Sequence, residues 1–297
     1  MKKFAIILLI ISLNIHGQKK VLDHKDFDIW NRIQNSQISS NGDFIMYSLQ
    51  RGEEDSFLKI KDKNANLIFE HDRAEKGVFS YNSKYAIFAI KEWKDTITEM
   101  KRRKVKKGKM PMDSIGIFNL QNKSLIKISN IKSYKNPEKW SGYLAYTYDL
   151  TNKEKKDTTK QKKINKKPSS KNGYPLIIRN LDTEEEDTIP FVLDYTFSKE
   201  EKFISYITSG EKNSTKPGVY IKDLSNNATK HVYESHVKTK YHKLELSDSG
   251  KHLAFVVDTD STKAYERNKE LYTWNQKNDL KLILDRTSSP GGYQVSS

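Results

Sequence analysis

A short pattern that recurs along the chain limits its possible folds more than any other feature. In each copy, an apolar or aromatic residue and a serine precede a polar turn, after which aromatic and aliphatic residues alternate with their neighbours. Four clear copies occupy residues 38–47, 79–88, 197–206 and 246–255, and in each the serine stands eight residues before the final Tyr or Phe. A shortened copy occupies 140–146. Alternation after a turn is typical of a β-hairpin, so the pattern predicts a series of hairpins.

Each hairpin is followed by two more short apolar runs, which predicts four strands per repeat. Asn41-Gly42 and Ser249-Gly250 supply the positive φ that a tight hairpin needs. Four short strands that repeat every ~40–50 residues indicate the blades of a β-propeller. We predict an all-β fold, a β-propeller of four-stranded antiparallel blades, with five blades at 33–71, 76–130, 137–192, 193–235 and 241–286.

Two lysine-rich stretches, at about 92–113 and 151–173, interrupt the repeat. Each falls between the second and third strands of its blade, as expected for loops that project from one end of a repeat protein. Trp93, Ile97 and Met100 have helical spacing, which predicts a short helix in the first stretch. The second has almost no apolar residues, and we expect it to be disordered.

The net charge of +15 is concentrated in these stretches. Residues 101–109 contribute +7 and residues 153–171 another +7, so the predicted strands carry almost no excess charge. We therefore expect no nucleic-acid partner, because the basic residues do not form a face of the fold. Like-charge runs are usually solvated loops, and docking of these loops on anionic polymers or membrane surfaces is a further hypothesis.

The N-terminus has the order of a secretory signal peptide. Lys2 and Lys3 precede an apolar run over 4–13, and a short polar exit ends at Gly17. The run is half of the roughly 20 residues that a membrane-spanning helix needs, so we expect no transmembrane anchor. The chain has no cysteine, which excludes disulfides and lipoprotein anchoring. We predict a signal peptide over 1–17 and an exported mature chain, 18–297, in the periplasm or outside the cell.

Residues 291–297 resemble the opening of a sixth blade. A propeller buries each blade against its neighbours and closes its ring. We therefore expect an incomplete ring, and a gene product that is truncated before the ring closes.

Motifs of catalysis are absent from the sequence. There is no G-x-S-x-G nucleophile elbow, no Walker loop and no G-x-G-x-x-G. The seven histidines form no H-x-x-x-H pair. We predict no catalytic, cofactor-binding or metal-ligating residue and no cofactor, with the histidines exposed on strands and loops. Trp30, Trp140 and Trp274 are expected to pack between blades, although Trp30 could instead line the mouth of the propeller.

Several strings, most of them outside the repeat, resemble segments of one known family. They are DIWN at 28–31, QISSNG at 37–42, KMPMDS at 109–114, PEKWSG at 137–142 and YPLIIRNL at 174–181. With the lysine-rich insert, they resemble the N-terminal β-propeller of exported prolyl oligopeptidase family serine peptidases of the kind found in Bacteroidetes. The resemblance extends over nearly the whole mature chain.

In that family the propeller precedes a C-terminal α/β-hydrolase domain that holds the Ser, Asp and His triad, and it restricts entry to short peptides. The resemblance therefore implies peptidase function for the full-length protein, with short peptides as substrates of the hydrolase domain and no triad residue in this chain. The alternative belongs to another class: an exported propeller of the TolB type that binds a protein or glycan without catalysis.

Overall fold

The computed structural model describes residues 21–24, 26, 30–149, 166–211, 214–235, 239–259, 267–277, 279–291 and 295. These residues are mostly β-strand, as predicted. In chain order the strands are β1 (Asn31–Ile38), β2 (Phe44–Arg51), β3 (Phe57–Asp62), β4 (Leu67–Asp72), β5 (Ala74–Phe79), β6 (Tyr85–Ile90), β7 (Asp113–Asn119), β8 (Leu125–Lys135), β9 (Tyr143–Tyr148), β10 (Tyr174–Asn180), β11 (Glu186–Phe197), β12 (Phe203–Thr208), β13 (Gly218–Asp223), β14 (Ala228–Glu234), β15 (Lys240–Leu246), β16 (His252–Asp258), β17 (Lys269–Asn275) and β18 (Leu280–Leu284). Helix α1 (Lys94–Arg102) and a 3₁₀ turn (Lys107–Lys109) lie between β6 and β7.

All paired strands are antiparallel neighbours in chain order, in sheets of β1–β4, β5–β14 and β15–β18. The middle sheet has ten strands because β8 and β11 each change partner along their length. β8 pairs with β7 up to Ile131 and with β9 from Ile131 onward, and β11 passes from β10 to β12 at Val192. The pairing therefore divides these strands into five groups of four, termed units 1 to 5, which span 31–72, 74–131, 131–192, 192–234 and 240–284.

The chain bends where one unit passes into the next. Arg73, Asn130 and Phe191 stand at three such junctions with left-handed backbone, at φ of 57°, 62° and 52°. A non-glycine residue in this region is uncommon and strained for a bulky side chain. Strand pairing continues through the bends in β8 and β11. The sequence has no turn motif at either bend. Unit 3 consequently begins at 131 rather than at the predicted 137.

Buried side chains form four clusters, one between each pair of successive units. Strand β6 shows how the alternation of a strand produces this arrangement. Phe88 packs in the cluster that holds Leu58 of unit 1, whereas its neighbour Ile87 packs in the cluster that holds Leu144 of unit 3. All six residues of β6 are buried, which is why the strand reads as an unbroken apolar run. The units thus stack face to face in chain order.

The prediction of a mostly β fold with antiparallel sheets is confirmed, and the strand pairing divides it into units of four strands. The number of propeller blades and the incomplete ring stay predictions. None of the described sheets closes on itself. The predicted signal peptide lies outside the described residues. Among the residues that are described, no helix has the length and apolar content needed to cross a bilayer.

The recurring serine closes the turn between the first and second strands of four units. In unit 2, the Tyr85 N–H donates to Ser80 Oγ at 3.0 Å, and the Ser80 N–H donates to the Tyr85 carbonyl at 2.9 Å. The same two bonds join Ser39 with Phe44, Ser198 with Phe203, and Ser247 with His252. The side chain thus satisfies a backbone donor that the turn would otherwise leave unpaired.

Replacing Ser80 with alanine removes the acceptor of the buried Tyr85 N–H. We expect Ser80→Ala to lower the free energy of unfolding by about 1–3 kcal/mol, the cost of leaving a buried donor unpaired. Urea unfolding followed by circular dichroism measures the change. Ser129→Ala is the matched control, because Ser129 is exposed on the last strand of the same unit. Equal unfolding midpoints for the two variants would contradict the role of the serine.

Buried tyrosines predict a loss of stability in alkali. Burial raises the pKa of Tyr195 and of Tyr206 above the ordinary value of 10.0, so the folded state favours the neutral phenol. This contribution is complete below about pH 10 and is lost as pH rises further, because the unfolded chain ionises first. We expect Tyr206→Phe to lose less unfolding free energy than the parent between pH 9 and 11, roughly the window around the phenol pKa. Urea unfolding at each pH tests this, and parallel curves for both proteins would refute it.

Candidate binding site at the long-loop end

Contacts between successive units join the same end of each unit, so all units have one orientation in the stack. The turns between first and second strands, joined in unit 3 by the turn at Asp182 between third and fourth strands, meet from unit to unit at one end of the molecule. The pairs that join them are Asn41–Ser83 for units 1 and 2, Lys84–Asp182 for units 2 and 3, Lys139–Lys199 for units 3 and 4, and Glu200–Asp248 for units 4 and 5. Second and third strands are therefore connected at the opposite end.

This opposite end, termed the long-loop end, carries the connections at 52–56, 91–112, 149–173, 209–217 and 259–268. The first lysine-rich stretch predicted from the sequence lies on it, as do residues 166–173 of the second. The predicted helix of the first stretch is confirmed as α1, and most of the second stretch, 151–165, lies outside the described residues. Loops held on a rigid scaffold are where binding residues concentrate, which makes this end the candidate site.

Helix α1 belongs to unit 2 but is fastened to unit 1. The Lys94 N–H, at the first turn of the helix, donates to Asp55 Oδ1 at 3.2 Å. The Lys94 ammonium donates to the Glu53 carbonyl at 3.0 Å and also to the Glu54 carbonyl. The carboxylate at the positive end of the helix dipole adds a favourable charge interaction. The helix therefore bridges the long loops of two successive units.

A cavity of about 1290 Å³ lies between α1 and the loop of unit 1. The loop at 52–56 and the helix form its walls, and Trp93 stands at its rim with 46% of its surface exposed. The cavity is larger than the ~300–1,000 Å³ typical of small-molecule sites. It can therefore hold a ligand with the dimensions of a short peptide.

Charged side chains on the floor of the cavity pair with one another. Lys91 Nζ lies 2.6 Å from Asp113 Oδ2 and 3.3 Å from Glu75 Oε1. Burial disfavours the charge on Lys91, but hydrogen bonds and attraction from the two carboxylates outweigh it and raise its pKa. The Arg73 guanidinium lies 4.3 Å from the centre of the Trp93 ring, a cation–π contact, and donates to the Lys91 carbonyl at 3.1 Å. Paired ions of this kind can bind and orient a polar ligand through charge and hydrogen bonds.

A serine and a lysine also meet at this end, between units 3 and 4. Lys166 Nζ donates to Ser209 Oγ at 2.7 Å, to the Ser209 carbonyl at 2.8 Å and to the Gly210 carbonyl at 2.7 Å. Burial lowers the pKa of Lys166. The Ser209 hydroxyl donates its own proton to the Asn172 carbonyl, so Lys166 is the donor in its contact with Ser209. A serine nucleophile needs a neighbouring base that can take its proton. The pair therefore joins the loops of units 3 and 4, and the Ser209 proton is directed at the Asn172 carbonyl.

The tryptophans, treated as one group in the sequence analysis, differ in burial in the structure, and so do the histidines. Trp140 and Trp274 are buried between units, as predicted, whereas Trp30 is 54% exposed. His71 is buried, with its ring 5.9 Å from that of Phe88, so the expectation of exposed histidines is wrong there. Within the described residues, no three His, Asp or Glu side chains are arranged to hold a metal ion. The absence of catalytic and cofactor-binding residues stays a prediction.

Sequence reasoning located α1 but missed the residues that make the cavity. Asp55 and Lys94 are 39 positions apart, and Arg73 and Trp93 are 20 apart. No spacing rule connects residues on different units. The repeat places the connections between second and third strands at one end of the fold. That placement alone could have suggested that the loops of units 1 and 2 meet.

No protein-family model matches the sequence, and no curated protein is significantly similar to it. Among solved structures, the β-propeller domain of the Trilobed protease from Pyrococcus furiosus is 15% identical with a TM-score of 0.46, over 88% of this chain and 73% of that chain. A prolyl endopeptidase structure is 11% identical with a TM-score of 0.49, over 96% of this chain and 42% of that chain. TolB from Acinetobacter baumannii is 10% identical with a TM-score of 0.37, over 86% of this chain and 54% of that chain. The chain therefore spans less than half the length of the prolyl endopeptidase.

The attachment of α1 to unit 1 can be tested by limited proteolysis. We expect Asp55→Ala to speed trypsin cleavage within 101–109 by a factor of about 3–10, the size expected when a partly exposed hydrogen bond to a charged group is lost. Glu53→Ala is the matched control, because only the backbone carbonyl of Glu53 contacts the helix. Cleavage rates are read from gels over time. The same rate for Asp55→Ala and the parent would rule out the attachment.

Proposed function

We propose that the chain is the propeller of a prolyl oligopeptidase-type serine peptidase and that it controls which peptides reach a separate α/β-hydrolase domain. The observation that carries the proposal is where the family-like strings fall on the stacked units. PEKWSG, at 137–142, joins β8 to β9 and carries the buried Trp140, whose indole N–H donates to the Ser198 carbonyl of unit 4 at 2.9 Å. YPLIIRNL, at 174–181, is strand β10 and the start of its turn. KMPMDS, at 109–114, leads from the lysine-rich insert into β7.

The packing and the cavity of the described residues suit a role in controlling which peptides reach an active site. Four-stranded units buried against one another form a rigid wall, because close-packed interiors resist deformation. Such a wall excludes folded proteins and lets a short, extended peptide pass. The cavity at the long-loop end offers a tryptophan and paired ions, which can hold a peptide without cleaving it. Acyl transfer then requires a serine, a base and an oxyanion hole supplied by the hydrolase domain.

The open cavity beside Trp93 also favours the second candidate, a non-catalytic propeller of the TolB type. A binding module needs a concave site with a few polar groups, and the cavity has this character. The two functions differ in whether an activated serine accompanies the propeller in the intact protein. Short peptides are the proposed substrates in the first case, and a protein or glycan is the proposed ligand in the second.

A fluorophosphonate probe, which labels only activated serines, distinguishes them. The native protein, isolated from its source with an antibody against residues 18–297, is expected to take up the probe and to hydrolyse a short peptide p-nitroanilide. Purified residues 1–297 are expected to do neither. Heat-denatured native protein is the control for non-specific labelling. An unlabelled native protein that brings down a partner protein or glycan would replace the peptidase proposal with the binding module.

A further inference from the structure

We propose that residues 101–109, termed the basic arm, bind the surface of a membrane that contains anionic phospholipids. The arm covers the end of α1 and the 3₁₀ turn that follows it, and it holds seven basic residues and no acidic one. Arg102 and Arg103 both pair with Glu99, at 3.1 Å and 2.8 Å. The other five are lysines, all exposed: Lys101, Lys104, Lys106, Lys107 and Lys109.

Within the part of the chain that the structure describes, these five lysines have no counter-charge. No carboxylate of the described residues lies within ion-pair distance of their ammonium groups. Nine residues extend at most about 30 Å, so the five charges lie within a few Debye lengths of one another, each about 10 Å at moderate ionic strength. An arm that keeps so many like charges together presents them jointly to an anionic surface.

The fold holds the arm in place. Lys94 and Asp55 fasten the start of α1 to unit 1, and the Lys109 N–H donates to the Lys106 carbonyl at 2.8 Å within the turn. Val105, the one apolar residue of the arm, is half-buried. A held arm loses less conformational entropy on binding than a flexible loop does. It binds through charge and does not insert into the apolar part of the bilayer.

The composition of the arm favours lipid over nucleic acid. Recognition of nucleic acid relies on arginine forks and on aromatic side chains that stack with bases. Here both arginines are engaged with Glu99, and the arm has no aromatic residue. Lysine is a compact charge that suits lipid phosphates without directional demands, and clusters of four to eight basic residues are typical of segments that bind anionic lipid. This inference is independent of the proposed peptidase function.

The test is co-sedimentation of the chain with vesicles, of phosphatidylcholine alone or with about 30% phosphatidylglycerol. We expect binding only to the anionic vesicles, reduced at least tenfold in ~0.5 M salt because binding is electrostatic. The arm variant carries K101Q, K104Q, K106Q, K107Q and K109Q and is expected to bind at least about tenfold more weakly. A control variant removes the same charge from exposed lysines outside the arm, through K123Q, K127Q, K202Q, K251Q and K281Q, and is expected to stay within about twofold of the parent.

Urea unfolding of both variants verifies that each is folded. Undiminished binding by the arm variant overturns the proposal, as does equal binding to neutral and anionic vesicles. Binding to heparin or duplex DNA without binding to anionic vesicles overturns it too, in favour of a polyanion. Equal weakening of both variants would show that total charge matters and that the arm does not.

Discussion

The hydrogen bond that each recurring serine accepts from a backbone N–H five residues later fixes the register of one hairpin. Everything else in the unit depends on that register, because a slip of one residue would exchange the two faces of a strand. In unit 2 it assigns Phe88 to the cluster with unit 1 and Ile87 to the cluster with unit 3. A small buried polar contact thus determines which apolar side chains meet across the stack.

Face-to-face burial then explains why the chain can build a large core from modest aliphatic content. A strand such as β6 uses both of its faces, so each apolar residue contributes to one cluster or the other. The left-handed residues at the junctions, including the bulky Phe191, show what this arrangement demands of the backbone. Strain at such positions persists where surrounding packing determines the conformation.

Local patterns in the sequence were sufficient for the strands and for α1, because alternation and helical spacing express contacts between residues close in sequence. The lengths of β8 and β11 could not be foreseen, since pairing through a left-handed bend leaves no turn motif. The cavity was missed for a different reason. Its contacts join Asp55 of unit 1 to Lys94 of unit 2, and Arg73 at the junction of these units to Trp93. A single sequence contains no rule for such pairs.

Because all units have the same orientation in the stack, the molecule has two ends that differ in how well they tolerate substitutions and insertions. At the end that holds the turns between first and second strands, neighbouring units are tied to each other by hydrogen bonds and ion pairs, so alterations there affect how the sheets pack. At the other end the connections vary from five residues at 52–56 to 25 at 149–173 while the strands beneath them keep the same order. Ligand preference could therefore diversify during evolution through those connections alone, with little cost to folding.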